Sequence, residues 1–525
     1  MKSNTILLNG EGLTVTNLYS LVSQPKARVN ISKTSLGAVA KTHNFLQQSL
    51  EKNNKVIYGI NTGFGPMASY LLARHQLEDL QTNLILSHAV GLGQKLPDDF
   101  VLAAMAIRLN TLAKGYSGAS PELLQQLEKF INLRIIPIVP NHGSVGASGD
   151  LVQLAHIALA LLGQGQASFK GKVQNLPAIL KQTGLKPYKL KAKEGLSLIN
   201  GTAQMSGIAA LVCYHSHNLL DLAVRNGSLA LELVRAYQDG FGPELQSLRP
   251  HPGQIAIATA MRQLLKDSRL TRDRSSLNKN ANHGDKVNHI NESVQEFYSL
   301  RCLPQILGPV YQNLHSVWET VKTEINSAAD NPIVYAKNRT FLHGGNFHGD
   351  YVAAGMDQLK AGLVKLTMLS ERRLNFFLHD KINGLFPPFM NLHTPGLTLA
   401  LQAMQFTATS TTARSQTLAF PMSVHSIPSN ADNQDVVSMG TDAALLAAEV
   451  LDNAYIVLAI ELLALCQGVD FLKNQKLLST ESRKLYQLVR KQVPSIVADR
   501  HIQPEMESLV QGLKSWDRKN IFKDS

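Results

Sequence analysis

The chain has 525 residues, of which 44% are hydrophobic and 17% charged, with a formal net charge of +12. That balance excludes an intrinsically disordered chain, and the length can bury substantial cores without staples. Three scattered cysteines, Cys213, Cys302 and Cys466, are too few for a disulfide framework or a thiolate metal site. A positive field attracts nucleic acid or anionic small molecules. Aromatics at 6% are sparse for a stacking platform, however, and no recognition module accompanies the charge, so no nucleic-acid partner is expected.

The amino terminus, MKSNTILLNGEGLTV, lacks the apolar core and cleavage site of a signal peptide. Later apolar stretches carry Asp, Glu, Gln or His before reaching the roughly 20 residues that span a bilayer. A cytoplasmic protein with no membrane partner is therefore expected. Residues 1–60 read as mixed structure, with an amphipathic segment that starts with Leu18 to Leu21 and a helix candidate from Leu36 to Leu50. In KVIYGINTGFGPMA, Gly59, Gly63 and Gly65 break any helix around Tyr58. They permit a tight loop close to a ligand, although G-x-x-x-G-x-G lacks the spacing of a dinucleotide fingerprint.

Long helices follow. LEDLQTNLILSHAVGLG and DDFVLAAMAIRLNTLAKG carry apolar residues on a period near 3.6. Longer helical patterns begin at GTAQMSG, DYVAAGM and TDAALLA. The last is apolar around most of its circumference and should be buried by other helices of this chain or of a partner. Between Arg249 and Val287 the second half is polar and basic and reads as a surface loop. There Arg269, Arg272 and Arg274 are more simply a solvated run than an anion patch. No strand–helix alternation suggests a parallel α/β enzyme. The expected fold is mainly α, a long-helix bundle over residues 201–525 with a smaller mixed N-terminal domain, residues 1–200, that carries the active-site loops.

NHGSVGASGDLVQLAHIALALLGQG places a glycine-rich loop directly before an apolar periodic segment. A serine nucleophile at Ser144 or Ser148 fits poorly. The hydrolase elbow needs G-x-S-x-G between a strand and a helix, whereas Ser148 sits in G-A-S-G with no clear strand before it. A plain helix start, capped by Gly149 and Asp150, is the simplest alternative.

Ala147-Ser148-Gly149 within GSVGASGDL resembles the precursor tripeptide of the aromatic amino acid ammonia-lyases and related aminomutases. Five further blocks are similar to that family in the same order. They are YGINTGFGPMA, NLILSHAVGLG, EGLSLINGTAQM, QEFYSLRCLPQILGP with EINSAADNPI, and GGNFHGDY with NADNQDVVSMG. The resemblance implies a helix bundle of the ammonia-lyase/fumarase-like type and a homotetramer whose active sites are each built from three chains. It also implies that the tripeptide cyclises and loses water to give 4-methylidene-imidazol-5-one (MIO), with no metal or dissociable cofactor. The residue types suit that chemistry. The Gly149 nitrogen must approach the Ala147 carbonyl, and no Cβ obstructs it. Ser148 supplies the hydroxyl lost as water, and the small Ala147 keeps crowding low. The product is an electrophile that no ordinary side chain provides.

By the same resemblance Tyr58 is the catalytic base and Tyr298 a second active-site tyrosine. A phenol releases its proton reluctantly, so the role needs electropositive surroundings, which a glycine loop can supply. Arg301 is implied as the partner of the substrate carboxylate, a task suited to its planar fork. Asn200 and Asn331 are implied around MIO and the carboxylate, Gly65 at the substrate, and Phe347 and Gln434 lining or buttressing the cofactor. His348 has no metal-ligand partner at helical spacing and reads as structural. Ser87-His88 matches the pair that meets the far end of the substrate ring. Ser-His occurs in histidine ammonia-lyases and in one branch of bacterial tyrosine ammonia-lyases. His88 can hydrogen-bond an imidazole nitrogen or a phenolic hydroxyl, and a purely apolar ring would leave it unpaired. Arg414 stands where histidine ammonia-lyases and many relatives carry glutamate. That reversal tilts the expectation to L-tyrosine, giving trans-p-coumarate and ammonia. A histidine ammonia-lyase, an aminomutase and an inactive helical interaction protein are the alternatives.

Overall fold

The computed structural model describes residues 5–52, 55–278, 287, 289–290, 293–516 and 520–522. They form two compact units that interleave along the chain. The first comprises residues 1–214, 316–358 and 421–448, the second residues 215–315, 359–420 and 449–525. The sequence suggested one boundary at residue 200; the chain passes between the units five times, four of them inside long helices, Ala203–Leu233, Leu303–Glu324, Asp350–Leu378 and Gly440–Leu472, and once between Phe420 and Pro421. At 1.5 Å per residue, a helix of about 30 residues is roughly 45 Å long. That exceeds the core of one small domain, so its two ends serve different units.

Among the described residues every strand lies in the first unit and is short. Thr5–Leu8 pairs in parallel with Arg28–Ile31, and Leu92–Lys95 pairs antiparallel with Pro140–His142. Ile136–Pro137, Gln166–Phe169 and Lys172–Asn175 form a three-stranded sheet, and Ile333–Tyr335 pairs with Thr340–Leu342. Helices cover these pieces. Val15–Ser23 begins at a Thr14 capping box, and Lys33–Glu51 at a Ser32 cap, each starting earlier than the apolar pattern alone suggested. The helix expected to run through LEDLQTNLILSHAVGLG stops at His88. Beyond it the Gly91 N–H donates to His156 Nε2 at 3.1 Å and Gly93 takes φ +95°, which no helix continues.

Helix Asp98–Ala113 is buried all round from Val101 onward. The start of Ala203–Leu233 crosses it at Gly207, where a Cβ would lie 2.8 Å from the Ala104 nitrogen. Ile57 and Ile60 sink into a cluster with Phe45, Leu46, Leu50, Leu77 and Val334. Burial of these side chains holds the Tyr58 loop from below, each worth roughly 1.5–3 kcal/mol.

The second unit is helical around a buried ion pair. Arg373 and Glu461 are 1% and 0% exposed. Arg373 Nε and Nη2 donate to the two Glu461 oxygens at 2.5 and 3.1 Å. Ser370 Oγ and Asn226 Nδ2 add donors at 2.5 and 3.1 Å. Helix Gly440–Leu472 is long and apolar enough to cross a membrane, and 78% of its most apolar stretch is buried. The basic run is not simply solvated. Arg272 and Arg274 each place a guanidinium 4.5 Å from the Tyr237 ring centroid, because a flat cation gains more over an aromatic face than in water.

Replacing Glu461 by Leu strands Arg373 in the interior. The expected loss of stability is about 3–5 kcal/mol, read as a lower urea midpoint with an unchanged slope. The pair Glu461→Leu with Arg373→Met should recover most of it.

Candidate active site

The Tyr58 loop is shaped by its own side chains. Asn61 Oδ1 accepts from the Ile57 nitrogen at 2.8 Å, and Thr62 Oγ1 from the Gly59 nitrogen at 2.9 Å. The Gly65 N–H donates to Tyr58 Oη at 3.1 Å, which fixes the phenol oxygen in place. Buried Gln81 ties this loop to the next wall. It donates to the Gly59 carbonyl at 3.4 Å and accepts from the Leu196 nitrogen at 2.9 Å. Leu196 belongs to helix Glu194–Ile199, which ends at Asn200.

Two buried cations brace that helix and the 329–331 segment. Lys193 Nζ donates to Asp330 Oδ2 at 2.8 Å, both side chains being fully buried. Asp330 Oδ1 accepts from the Asn331 nitrogen at 2.7 Å. Arg108 donates to the Ser197 and Ala329 carbonyls. Burial lowers the Lys193 ammonium below the usual lysine range, opposed by Asp330, and brings Arg108 down to about 10. Asn200 and Asn331 are thus held from behind.

At the end of helix Leu77–His88, His88 Nδ1 lies 2.9 Å from the Leu84 carbonyl and 3.0 Å from Ser87 Oγ. A carbonyl only accepts, so Nδ1 carries the proton and the neutral ring keeps Nε2 as an acceptor. Burial pulls the His88 pKa below its ordinary 6.5, with the Leu84 carbonyl opposing.

The tripeptide lies across from these walls. Gly149 takes φ +73°, and a Cβ there would sit 2.0 Å from the Gly201 carbonyl oxygen. Ser148 is gripped twice. Asn200 Nδ2 donates to its carbonyl at 3.2 Å, and Gln434 Nε2 to its hydroxyl oxygen at 3.0 Å. Asp150 does not cap the following helix with its side chain. Its carboxylate instead accepts from Ser144 Oγ at 2.9 Å, Thr441 Oγ1 at 2.5 Å and the Met205 nitrogen at 2.9 Å. Burial raises its pKa, against the pull of these donors.

One cavity of about 500 Å³ gathers Tyr58, Gly65, Ser87, His88, Ser148, Asn200, Asn331, Phe347 and Gln434. Ala147 and Gly149 are buried. The remaining three candidates belong to the second unit, while the cavity's lining comes entirely from the first. Tyr298 is 69% exposed, with the Arg301 guanidinium 4.7 Å from its ring centroid. Arg414 is ion-paired, its Nε 2.7 Å from Glu449 Oε1. His348 meets Asp350 and the Val436 carbonyl, consistent with a structural part. Sequence reasoning missed Asn83, Asn430 and Asn433, which also line the cavity. Asn83 sits one helical turn before Ser87, a spacing that could have flagged it. Asn430 and Asn433 lie inside the NADNQD block, where left-handed backbone at Asn430, Ala431 and Asp432 turns them inward.

Residues 13–491 match the aromatic amino acid lyase family. The chain belongs to that family. It is 38% identical over 514 residues to a histidine ammonia-lyase of Geobacillus sp., covering 98% of this chain and 97% of the relative. It is 40% identical over 505 residues to a probable histidine ammonia-lyase of Thermoplasma volcanium, covering 96% and 97%. The solved tyrosine aminomutase from Streptomyces globisporus shares the fold with a TM-score of 0.93 at 35% identity, over 97% of both chains. This aromatic amino acid lyase is therefore an enzyme of the MIO-dependent ammonia-lyase and aminomutase class, acting on an aromatic amino acid. An inactive interaction protein is set aside. The likenesses reach histidine lyases and aminomutases alike and do not single out the Ser-His tyrosine branch.

The residues present fit the MIO group. Only glycine tolerates the contact between positions 149 and 201, Asn200 and Gln434 hold Ser148 from two sides, and Asn200 Oδ1 is a buried acceptor without a partner among the described residues. Among the described residues no cluster of three His, Cys, Asp or Glu could hold a metal ion. Peptide mass analysis should find the segment spanning Ala147 to Gly149 lighter by the waters lost in cyclisation and dehydration. Gly149→Ala should leave that segment at its unmodified mass, because the new Cβ displaces the loop from Gly201. Ser148→Ala should likewise lack the MIO absorbance in a difference spectrum while keeping its helical circular dichroism.

Proposed function

We propose that this enzyme removes ammonia from L-histidine, releasing urocanate. The observation that carries this choice is the identity of 38–40% to histidine ammonia-lyases over nearly the whole chain. The His88 Nε2 acceptor at the wall of the cavity is compatible with it, since it suits a ring that donates, whether an imidazole N–H or a phenolic O–H. The imidazole of histidine offers one N–H to it and one lone pair to the amide of Asn83, on the same helix.

MIO supplies the electrophile that turns the substrate amine into a better leaving group. The chain's own residues do the rest. Tyr58 Oη, steadied by the Gly65 N–H, takes the proton from the substrate Cβ. The electron pair left behind forms the Cα–Cβ double bond as the Cα–N bond breaks, and ammonia leaves. Asn200 and Gln434 hold the Ser148 position rigid, so the reacting atoms meet without rearrangement. Arg301 takes the substrate carboxylate with Tyr298 beside it, both supplied by another subunit of a homotetramer. Exposure of Met67, Tyr70, Leu71 and Leu92 around the cavity loops supports such a partner.

Tyrosine is the second reading, favoured by Arg414 in place of glutamate and by the likeness to a tyrosine aminomutase. Pairing with Glu449 weakens the first of these grounds, since the arginine charge is compensated locally.

Steady-state assays against histidine, tyrosine, phenylalanine and dihydroxyphenylalanine are expected to give the largest kcat/KM for histidine, with urocanate as product. A tyrosine preference would replace the substrate assignment, and a β-amino acid product in the NMR spectrum would make the enzyme an aminomutase. Tyr58→Phe should lower kcat by at least about 100-fold, the scale of a lost acid–base group, with the fold intact. The pH profile tests His88. Falling pH protonates Nε2 and removes the acceptor, so kcat/KM should show an acid limb centred below 6.5. That limb should be missing from His88→Phe and so persist in the ratio of wild type to variant, in which the substrate's own ring titration cancels.

A further inference from the structure

We propose that Arg274, Tyr237 and Glu296 form a clamp that presets Tyr298 and Arg301 for carboxylate recognition, with Arg274 and Glu296 as positioning residues. The inference rests on the reading of Arg301 as the partner of the substrate carboxylate. Tyr298 and Arg301 sit on a helix of only four residues. So short a helix cannot hold its own orientation, and the strap before it must.

That strap is pinned at successive points within the second unit. The Val294 carbonyl accepts from Arg274 Nη1 at 2.8 Å. Glu296 Oε1 accepts from the Tyr237 nitrogen at 2.9 Å, and the Glu296 carbonyl from Arg301 Nε at 3.1 Å. Glu296 is therefore the link, its side chain bound to the clamp and its main chain to Arg301. Phe297 rests 5.1 Å from the Phe376 ring.

The clamp is itself preorganised. Asp239 receives Arg274 Nε at 2.5 Å and Nη2 at 3.3 Å. The Arg274 guanidinium lies 4.5 Å from the centroid of the buried Tyr237 ring, as does that of Arg272. The Arg272 carbonyl accepts from the Gln238 nitrogen at 3.0 Å, and the Arg272 nitrogen donates to the Ala236 carbonyl at 2.9 Å. With Arg301 Nε committed to the Glu296 carbonyl, the fork that remains is its two terminal nitrogens, the pair that bidentate recognition of a carboxylate uses. Arg274 and Asp239 are 37% and 50% exposed at their side chains, so altering Arg274 opens no cavity in the core.

The test compares ligands with and without the carboxylate in the full-length enzyme. The probes are urocanate and histamine, or p-coumarate and tyramine, whichever pair matches the amino acid turned over. Arg274→Met should raise KM and weaken acrylate inhibition by about 10- to 100-fold, the scale of misplaced binding geometry, while amine inhibition and kcat stay within about twofold. Glu296→Leu should behave alike, and Glu296→Gln, which retains an acceptor oxygen, should rescue the acrylate affinity. Equal weakening of acrylate and amine would mark a merely structural role and overturn the clamp. Arg301→Gln separates the two levels. If it weakens acrylate binding while Arg274→Met does not, the clamp fails and Arg301 keeps its role. If Arg301→Gln leaves acrylate binding unchanged, the carboxylate reading falls and the clamp falls with it.

Discussion

The backbone of Gly149 rests on the backbone of Gly201, and the active site is arranged around that contact. The Asp150 nitrogen donates to the Gly201 carbonyl at 2.8 Å, and Asn200, one residue earlier, reaches the Ser148 carbonyl. Below it the Asp150 carboxylate draws donors from residues 144, 205 and 441, three separate segments. Burying a carboxylate is costly, and these donors offset the cost only in one geometry. A loop so constrained has few alternatives to its bent backbone. A cyclisation that needs the nitrogen of residue 149 against the carbonyl of residue 147 depends on that loss of freedom.

The same device recurs behind the other polar walls. Lys193 and Asp330 meet in full burial directly behind Asn331, and Arg108 fastens the carbonyls of Ser197 and Ala329. Gln81 joins the Tyr58 loop to the helix that ends at Asn200. Buried ion pairs contribute little net stability against an apolar replacement. They do allow few arrangements, which holds the polar side chains of the cavity wall in fixed positions. In the second unit, Glu461 with four donors gives the all-round-apolar helix a single register against its neighbours.

Substrate choice rests on far fewer atoms. Relatives whose names span histidine lyases and tyrosine aminomutases share this fold, so the fold alone does not select the ring. At the cavity wall, His88 has Nδ1 committed to the Leu84 carbonyl. Arg414, which the sequence presents as a bare charge reversal, stands in an ion pair with Glu449. Its charge is thus compensated locally.

Much of this enzyme was legible from the chain alone. Helical periodicity marked the long helices to within a few residues, because apolar spacing reports which face is buried. The ordered blocks around Tyr58, Ala147-Ser148-Gly149 and Phe347 exposed the family, because that chemistry tolerates few residue types. Nine of the named site residues line one cavity. Other features depended on partners remote in sequence. The interleaving of the two units depends on long helices, three of them about 30 residues, whose ends pack in different units. The early stop at His88 needed His156 to capture the Gly91 N–H. The pairing of Arg414 with Glu449 and the stacking of Arg272 and Arg274 on Tyr237 are likewise contacts that no local pattern encodes, whereas the His88 tautomer is set within its own helix by the Leu84 carbonyl. Residue type and spacing determined which chemistry the chain carries. The tertiary fold decided which side chains meet in one cavity and which charges are neutralised, since both depend on what packs against each group in space.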